Sequence, residues 1–378
     1  MTEYKKIASK IISAEIRYKR WCKLVVFAVL AVICGAVALV FLVDPHYRYR
    51  LPVFYDTVYY ELYATAPRLL CDLEYDTLVL GTSMTRNLFL DDIDSALGGR
   101  SIKLAASGGT PADLKLFFDI ARKAKGDKLK KVVFSLDIYA LNKSEEEAHY
   151  KEFDYLYRDD LKEEYKYFFS RQTYSSMYYL YKRKVRPKKK RQHQADPNRM
   201  FSTEYDGMVF DITAVVADAL YNEKVHHTQT PENRENFQTN MSKSILPMIE
   251  DNPQIEFMVY LPPYHIYTYC QSEHFGEADG LIRERTEVLK MLLKYSNVKL
   301  YDFQTDRSYV CNAGYFSDVQ HFSSVAARRI LADLVDGRRQ ITTVAEIETN
   351  ELELRELIQE QMPVYYADMK YYRELSDD

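Results

Sequence analysis

A chain of 378 residues is long enough for one large domain or two ordinary ones, and a net charge of −4 gives no electrostatic case for binding nucleic acid. Aromatic residues make up 14% of it, with 33 Tyr against a single Trp, so rings that carry a polar tip are plentiful for core, interface or sugar contacts. The five cysteines, Cys22, Cys34, Cys71, Cys270 and Cys311, match neither zinc-site spacing nor a C-x-x-C redox pair, and neither a metal nor another cofactor is expected; Cys270 and Cys311 are free to pair if their compartment is oxidising.

Residues 1–23 are basic, with Lys5, Lys6, Lys10, Arg17, Lys19, Arg20 and Lys23 against Glu3 and Glu15. The next twenty residues, 24–43, carry no charge at all. That length spans a bilayer as a helix, and the basic flank belongs on the cytoplasmic side. A cleaved signal peptide is the competing reading, but the run is long and no small-x-small site follows it. The expectation is a single-pass cell-membrane protein: a cytoplasmic tail over 1–23, a transmembrane helix over 24–43 and an extracytoplasmic remainder. Asp44-Pro45 ends the apolar helix, and the Tyr-rich residues 44–75 read as an irregular membrane-proximal connector.

From Tyr75 the chain alternates strand and helix signals. Strands are predicted at 76–80, 101–106, 131–137, 255–261 and 297–303, with helical patterns between them, such as Ala112 to Lys125 and Gly280 to Tyr295. Thr110-Pro111-Ala112-Asp113 has the make-up of a helix start: an N-cap hydroxyl, Pro at the first position and a carboxylate near the positive end. This alternation predicts an α/β fold, a parallel five-stranded sheet with right-handed crossovers over 76–340. Residues 145–250 interrupt the rhythm and read as a helical insertion that caps the sheet edge or the site. Within it, the basic run from Lys182 to Arg191 is either a solvated helix end or a patch for anionic lipid or polymer. The tail, 341–378, reads as a helix from Val344 to Gln361 that breaks at Pro363.

Two stretches carry chemistry. Leu78, Val79 and Leu80 form a buried-strand run that Gly81 ends with a turn, placing Ser83 at the carboxyl end of the first strand, where open α/β sheets bind ligands. A hydroxyl held there becomes a nucleophile if a base reaches it. The second stretch is Ser317-Asp318-Val319-Gln320-His321, after the last predicted strand, and it holds the one D-x-x-H of the chain. Arg86, Asp137, Tyr264 and His265 fall near strand ends and are candidates for lining the same cleft.

This order of motifs resembles the SGNH/GDSL hydrolase superfamily, with Gly81-Thr82-Ser83 at the place of its G-x-S turn and Asp318-Val319-Gln320-His321 at the place of its D-x-x-H. The resemblance covers about residues 76–340 without the insertion. It implies a three-layer flavodoxin-like fold and a Ser83–His321–Asp318 catalytic triad. It also implies oxyanion donors from Gly108 or Gly109. The family's G-x-N-D block is absent: Phe134-Ser135-Leu136-Asp137 stands there, and Asn87 and Asn142 are the nearby substitutes. With a basic-flanked anchor in front, the chain is similar to envelope acyltransfer proteins of the DltD, AlgJ and AlgX type. That similarity implies a serine acyltransferase or esterase working on O-acyl groups of a cell-envelope polysaccharide or polyol polymer, beside a membrane-bound O-acyltransferase. A non-catalytic scaffold of the same fold is the alternative.

Overall fold

The computed structural model describes residues 2–55, 57, 61–158, 161–185, 207–224 and 233–377. The chain begins with one helix, α1 (Thr2–Val43), whose apolar side chains, Leu24, Phe27 and Val32 among them, are exposed. It is long and apolar enough to cross a membrane or to act as a signal sequence. The basic segment is the first half of this same helix. The connector is not irregular throughout. Leu62, Ala66, Leu69 and Leu70 then recur at helical spacing and are buried, forming α2 (Leu62–Asp72).

The sheet has six strands, not five, in the order β2-β1-β3-β4-β5-β6. β1 (Thr77–Gly81) lies between β2 (Ser101–Ala105) and β3 (Lys131–Ser135), followed outward by β4 (Glu256–Leu261) and β5 (Val298–Asp302). These five are parallel. The sixth, β6 (Gln340–Ile341), adds two antiparallel residues beside Leu300 and Tyr301, too few to leave a periodic signal in the sequence. Side chains along a strand point alternately to opposite faces, and every residue of β1 and β2 is buried, so helices cover both faces. The direction in which successive strands are added reverses between β1 and β3, and the crevice at such a switch point lies beyond the strands' carboxyl ends.

Between strands run α3 (Leu90–Leu97) and α4 (Pro111–Lys125). α4 starts as its sequence predicts, with a capping box in which Thr110 and Asp113 satisfy each other's backbone N–H. The stretch read as an insertion divides in two. Its early part includes α5 (Glu164–Phe169) and α6 (Arg171–Val185), which pack beside the end of α1. After α7 (Ile212–Lys224), the helix α8 (Arg234–Asn240) continues through a π-turn (Met241–Ile245) into α9 (Leu246–Glu250). This last run buries Phe237, Met241, Ile245, Met248 and Ile249 and is the crossover that a parallel β3–β4 pair requires. Of the basic run, residues 186–191 lie outside the described residues.

The carboxyl-terminal half adds α10 (Ile266–His274), α11 (Ala278–Leu292), α12 (Ser324–Asp336) and α13 (Val344–Asp377). α13 does not break at Pro363. A mid-helix Pro costs about 3 kcal/mol. Beyond it the helix buries Tyr365 and Met369 and is fastened by Tyr365 Oη to Glu223 (2.8 Å) and by Tyr267 Oη to Asp368 (2.6 Å), contacts that offset the loss. The described cysteines are all free thiols, Cys270 and Cys311 included.

Gly81 leaves no room for a side chain between β1, β3 and the turn that follows β1. A Cβ there would stand 2.9 Å from both Cβ and the carbonyl oxygen of Ser135 and 2.6 Å from Thr85 Cγ2. Gly81→Ala is therefore expected to destabilise the protein by about 1–3 kcal/mol, as overpacking does, read as a lower Tm. An unchanged Tm would show that β1 and β3 can part at no cost.

Candidate active site

β1 hands the chain to Thr82 and one 3₁₀ turn, Ser83–Thr85. The Thr82 carbonyl accepts the Thr85 N–H (3.2 Å) and hydroxyl (2.9 Å), which closes the turn. The Thr82 hydroxyl donates to Asp137 Oδ2 at 3.0 Å. Asp137, just beyond β3, also accepts from the buried Tyr264 hydroxyl beyond β4 (2.6 Å) and from the Tyr139 N–H (3.2 Å). One carboxylate thus ties together the outlets of three adjacent strands. On the β2 side, the buried Lys103 ammonium donates to the carbonyls of Arg86 and Leu88, both at 2.8 Å. The Arg86 guanidinium donates twice to Ser107 Oγ, at 3.0 and 2.7 Å.

The second half of the site comes from the far end of the chain. An antiparallel bridge between Phe316 and Phe322 closes a small hairpin. Inside it, Asp318 Oδ1 accepts the N–H groups of Gln320 (2.8 Å) and His321 (2.6 Å), a carboxylate-capped turn. The other oxygen, Oδ2, lies 2.8 Å from His321 Nδ1, and His321 Nε2 lies 2.7 Å from Ser83 Oγ. Hydroxyl, imidazole and carboxylate stand in line, an order along which a proton can leave Oγ for Nε2.

The hairpin is clamped from three directions. Val319 O accepts from the His265 N–H (2.9 Å) and Thr268 Oγ1 (2.6 Å) at the start of α10. Val319 N–H donates to Asp218 Oδ2 on α7 at 3.2 Å. Asn87 Nδ2 donates to the Phe322 carbonyl. Burial alone would lower the pKa of His321, but its hydrogen bond to Asp318 and that carboxylate's charge outweigh it and hold the imidazole above its ordinary 6.5; Arg86 opposes and Asp137 adds a little. Asp318 is the mirror case: burial would raise it, and His321 with the two backbone N–H groups brings it below the usual carboxylate value. Burial, followed by the charge of Asp318, pushes Asp218 up.

The remaining expected site residues fall into distinct positions. His265 is buried and pushed down to about 3, so it is neutral near pH 7. Its Nδ1 accepts the Tyr267 N–H (3.2 Å), which makes it the cap of α10 and not a partner of Ser83. Tyr264 reaches the site only through Asp137. Asn142 is engaged away from Ser83, donating to Glu284 Oε2 at 2.5 Å and accepting the Asn233 N–H at 2.6 Å. Gly108 adopts a left-handed φ of 65°, and its carbonyl accepts from Lys143 Nζ at 2.7 Å. The Gly109 N–H donates to Ala106 O at 2.8 Å, which removes it from the expected oxyanion donors. The N–H groups of Ser83 and Gly108 have no acceptor among the described residues.

Sequence reasoning missed Asp218, Lys103 and Thr268. None sits in a motif, and only the folded chain brings them to the hairpin or the Ser83 loop. Among the described residues, no group of three or more His, Cys, Asp or Glu side chains is placed to hold a metal ion. No family model, curated protein or solved structure matches this chain.

The electrostatics make a direct prediction. A proton NMR titration should show His321 ionising above 6.5, and Asp318→Asn should lower that value. A raised His pKa stabilises the fold below its unfolded value, and the gain disappears as pH rises through the folded value. Asp318→Asn should therefore lower stability most below the unfolded value, with the difference from wild type shrinking as pH rises through the folded value. An unchanged His321 titration in the variant would refute the coupling.

Proposed function

We propose that this chain is a membrane-anchored extracytoplasmic serine acyltransferase or esterase, acting on O-acyl groups of a cell-envelope polysaccharide or polyol polymer beside a membrane-bound O-acyltransferase. The observation that carries this reading is the line from Ser83 Oγ through His321 to Asp318, at 2.7 and 2.8 Å, assembled from residues 238 positions apart. The resemblance of both motifs to those of SGNH hydrolases supports it, and α1 supports the anchor.

In this mechanism Ser83 Oγ attacks the carbonyl carbon of an acyl donor while His321 Nε2 takes its proton. Asp318 holds the imidazole with its proton on Nδ1 and stabilises the imidazolium. As the tetrahedral intermediate collapses, Nε2 returns the proton to the leaving alcohol and an ester on Ser83 remains. An acceptor hydroxyl, or water, then attacks that ester and gives its proton to His321 Nε2; the bond from Ser83 Oγ to the acyl carbon breaks, Nε2 returns the proton to Oγ, and the acylated acceptor or free acid leaves. The N–H groups of Ser83 and Gly108 are the donors available to the oxyanion. One such donor typically contributes about 100- to 1000-fold in rate, so an oxyanion hole without an Asn amide is weaker. The tether favours transfer over hydrolysis, because it keeps the domain beside a membrane-embedded source of acyl groups.

The engagement of the Gly109 N–H, Asn87 and Asn142 favours a second reading, a non-catalytic scaffold that retains the fold. A fluorophosphonate probe separates the two. The enzyme reading expects labelling of the wild type that is lost in Ser83→Ala and His321→Ala. Its rate should rise with pH through an inflection above 6.5, since only neutral imidazole accepts the proton, and fall by roughly 10⁴-fold in Asp318→Asn. A folded wild-type protein that takes no label, or labels equally in Ser83→Ala, would overturn the enzyme reading.

A further inference from the structure

Directly after α1 the chain doubles back at Asp44, which adopts a φ of 47°. Its carboxylate accepts the N–H groups of Arg48 (2.8 Å), Tyr49 (2.9 Å) and Arg50 (3.0 Å) and the hydroxyl of the buried Tyr167 (2.6 Å) of α5. His46 Nε2 lies 2.8 Å from Ser176 Oγ of α6. α5 and α6 are therefore fastened to the carboxyl end of α1 through buried polar contacts.

The outer faces of these helices are the reverse of what a soluble surface helix shows. α6 buries Thr173 and Ser176 and exposes Tyr174, Tyr178, Tyr181 and Val185. Those four recur at i, i+4, i+7 and i+11, within an arc of about 60° on a helix of 3.6 residues per turn. On α5, Tyr165 and Phe169 repeat the pattern at i and i+4, again exposed. In the connector that follows α1, Val53 and Phe54 are about 70% exposed, while the next residue, Tyr55, donates to the carbonyls of Val43 and Asp44. The last turn of α6 carries Lys182, Arg183 and Lys184, and Lys182 Nζ sits 4.4 Å from the centre of the Tyr178 ring. A cleft of about 340 Å³ opens at the same junction, lined by Arg48, Arg68 and Lys123 together with Pro67, Ile120 and Leu156.

We propose that α5, α6 and the Val53–Phe54 corner form an interfacial face that lies on the anionic headgroup layer of the bilayer that α1 spans. It holds the domain flat against the membrane and prevents free swinging on the anchor. The proposal rests on the reading of α1 as an anchor. Three observations select a lipid surface over a second copy or another protein: the face continues from the end of α1, its rings are mostly tyrosines with the amphipathic character that suits the headgroup level, and its charges are cationic.

The test uses the full chain in nanodiscs containing lipids brominated near the headgroup. Trp21 is the sole Trp, so its quenching in the wild type reports whether α1 is inserted. A Tyr178→Trp probe in a Trp21→Phe background reports the docking face, with Tyr221→Trp on α7 as the exposed control. In anionic discs the Tyr178→Trp emission should shift to the blue and be quenched about twofold more than the control, with the excess reduced by high salt and by the Lys182→Glu, Arg183→Glu, Lys184→Glu triple change. Quenching of Trp21 without excess quenching of the Tyr178→Trp probe would overturn the docking face and leave the anchor standing. No quenching of Trp21 would overturn both. A blue shift that grows with protein density but shows no lipid quenching would place a second copy there instead and overturn the lipid assignment.

Discussion

Two hydrogen bonds to one carbonyl oxygen hold the distant halves of the candidate site in register. Val319 O accepts from the His265 N–H and from Thr268 Oγ1, and this pins the Phe316–Phe322 hairpin to the start of α10. Together with the bonds from Asn87 to the Phe322 carbonyl and from the Val319 N–H to Asp218, that clamp gives His321 a defined direction toward Ser83. The clamp is indifferent to ordinary changes in pH. Burial keeps the His265 imidazole neutral, so Nδ1 still accepts the Tyr267 N–H that orders the first turn of α10. Asp318 performs two tasks at once. One oxygen caps the turn and the other orients the imidazole, so the geometry is set by the backbone before any substrate arrives.

The sheet supplies the other half of that geometry. Its switch point places the outlet of β1 beside that of β3, and Asp137 binds both to the outlet of β4 through Thr82 and Tyr264. Ser83 therefore stands on a short turn between rigid strand ends. A hydroxyl on a rigid element keeps its distance to a base more closely than one on a long loop, which is what an in-line proton transfer requires.

Tyrosine meets a carboxylate at several of the points where elements join. Tyr167 bonds to Asp44 beyond α1, Tyr264 to Asp137 beyond β3, Tyr309 to Asp333 on α12, Tyr267 to Asp368 and Tyr365 to Glu223 along α13. In each pair the ring fills core volume while the hydroxyl satisfies an acidic group that would be costly to bury alone. The abundance of Tyr in this chain thus has a structural use that composition could not assign. The same pairing recurs from the knot at Asp44, just after α1, to the second half of α13.

What the sequence determined by itself was local. Apolar runs marked the five parallel strands, Thr110-Pro111-Ala112-Asp113 marked a capped helix start, an uncharged stretch marked α1, and the order of Gly81-Thr82-Ser83 and the lone D-x-x-H marked two stretches worth bringing together. These signals depend on neighbours a few residues away, and periodicity and capping chemistry read them directly. Tertiary structure decided the rest. It added β6, whose two residues have no pattern of their own, and carried α13 through Pro363 because the buried Tyr365 and Met369 outweigh one lost hydrogen bond. It folded α2 out of a connector that reads as irregular, recruited Asp218 from α7, and engaged the Gly109 N–H with Ala106. Each of these depends on groups brought together by packing between segments far apart in the chain, and no window of a few residues contains that information.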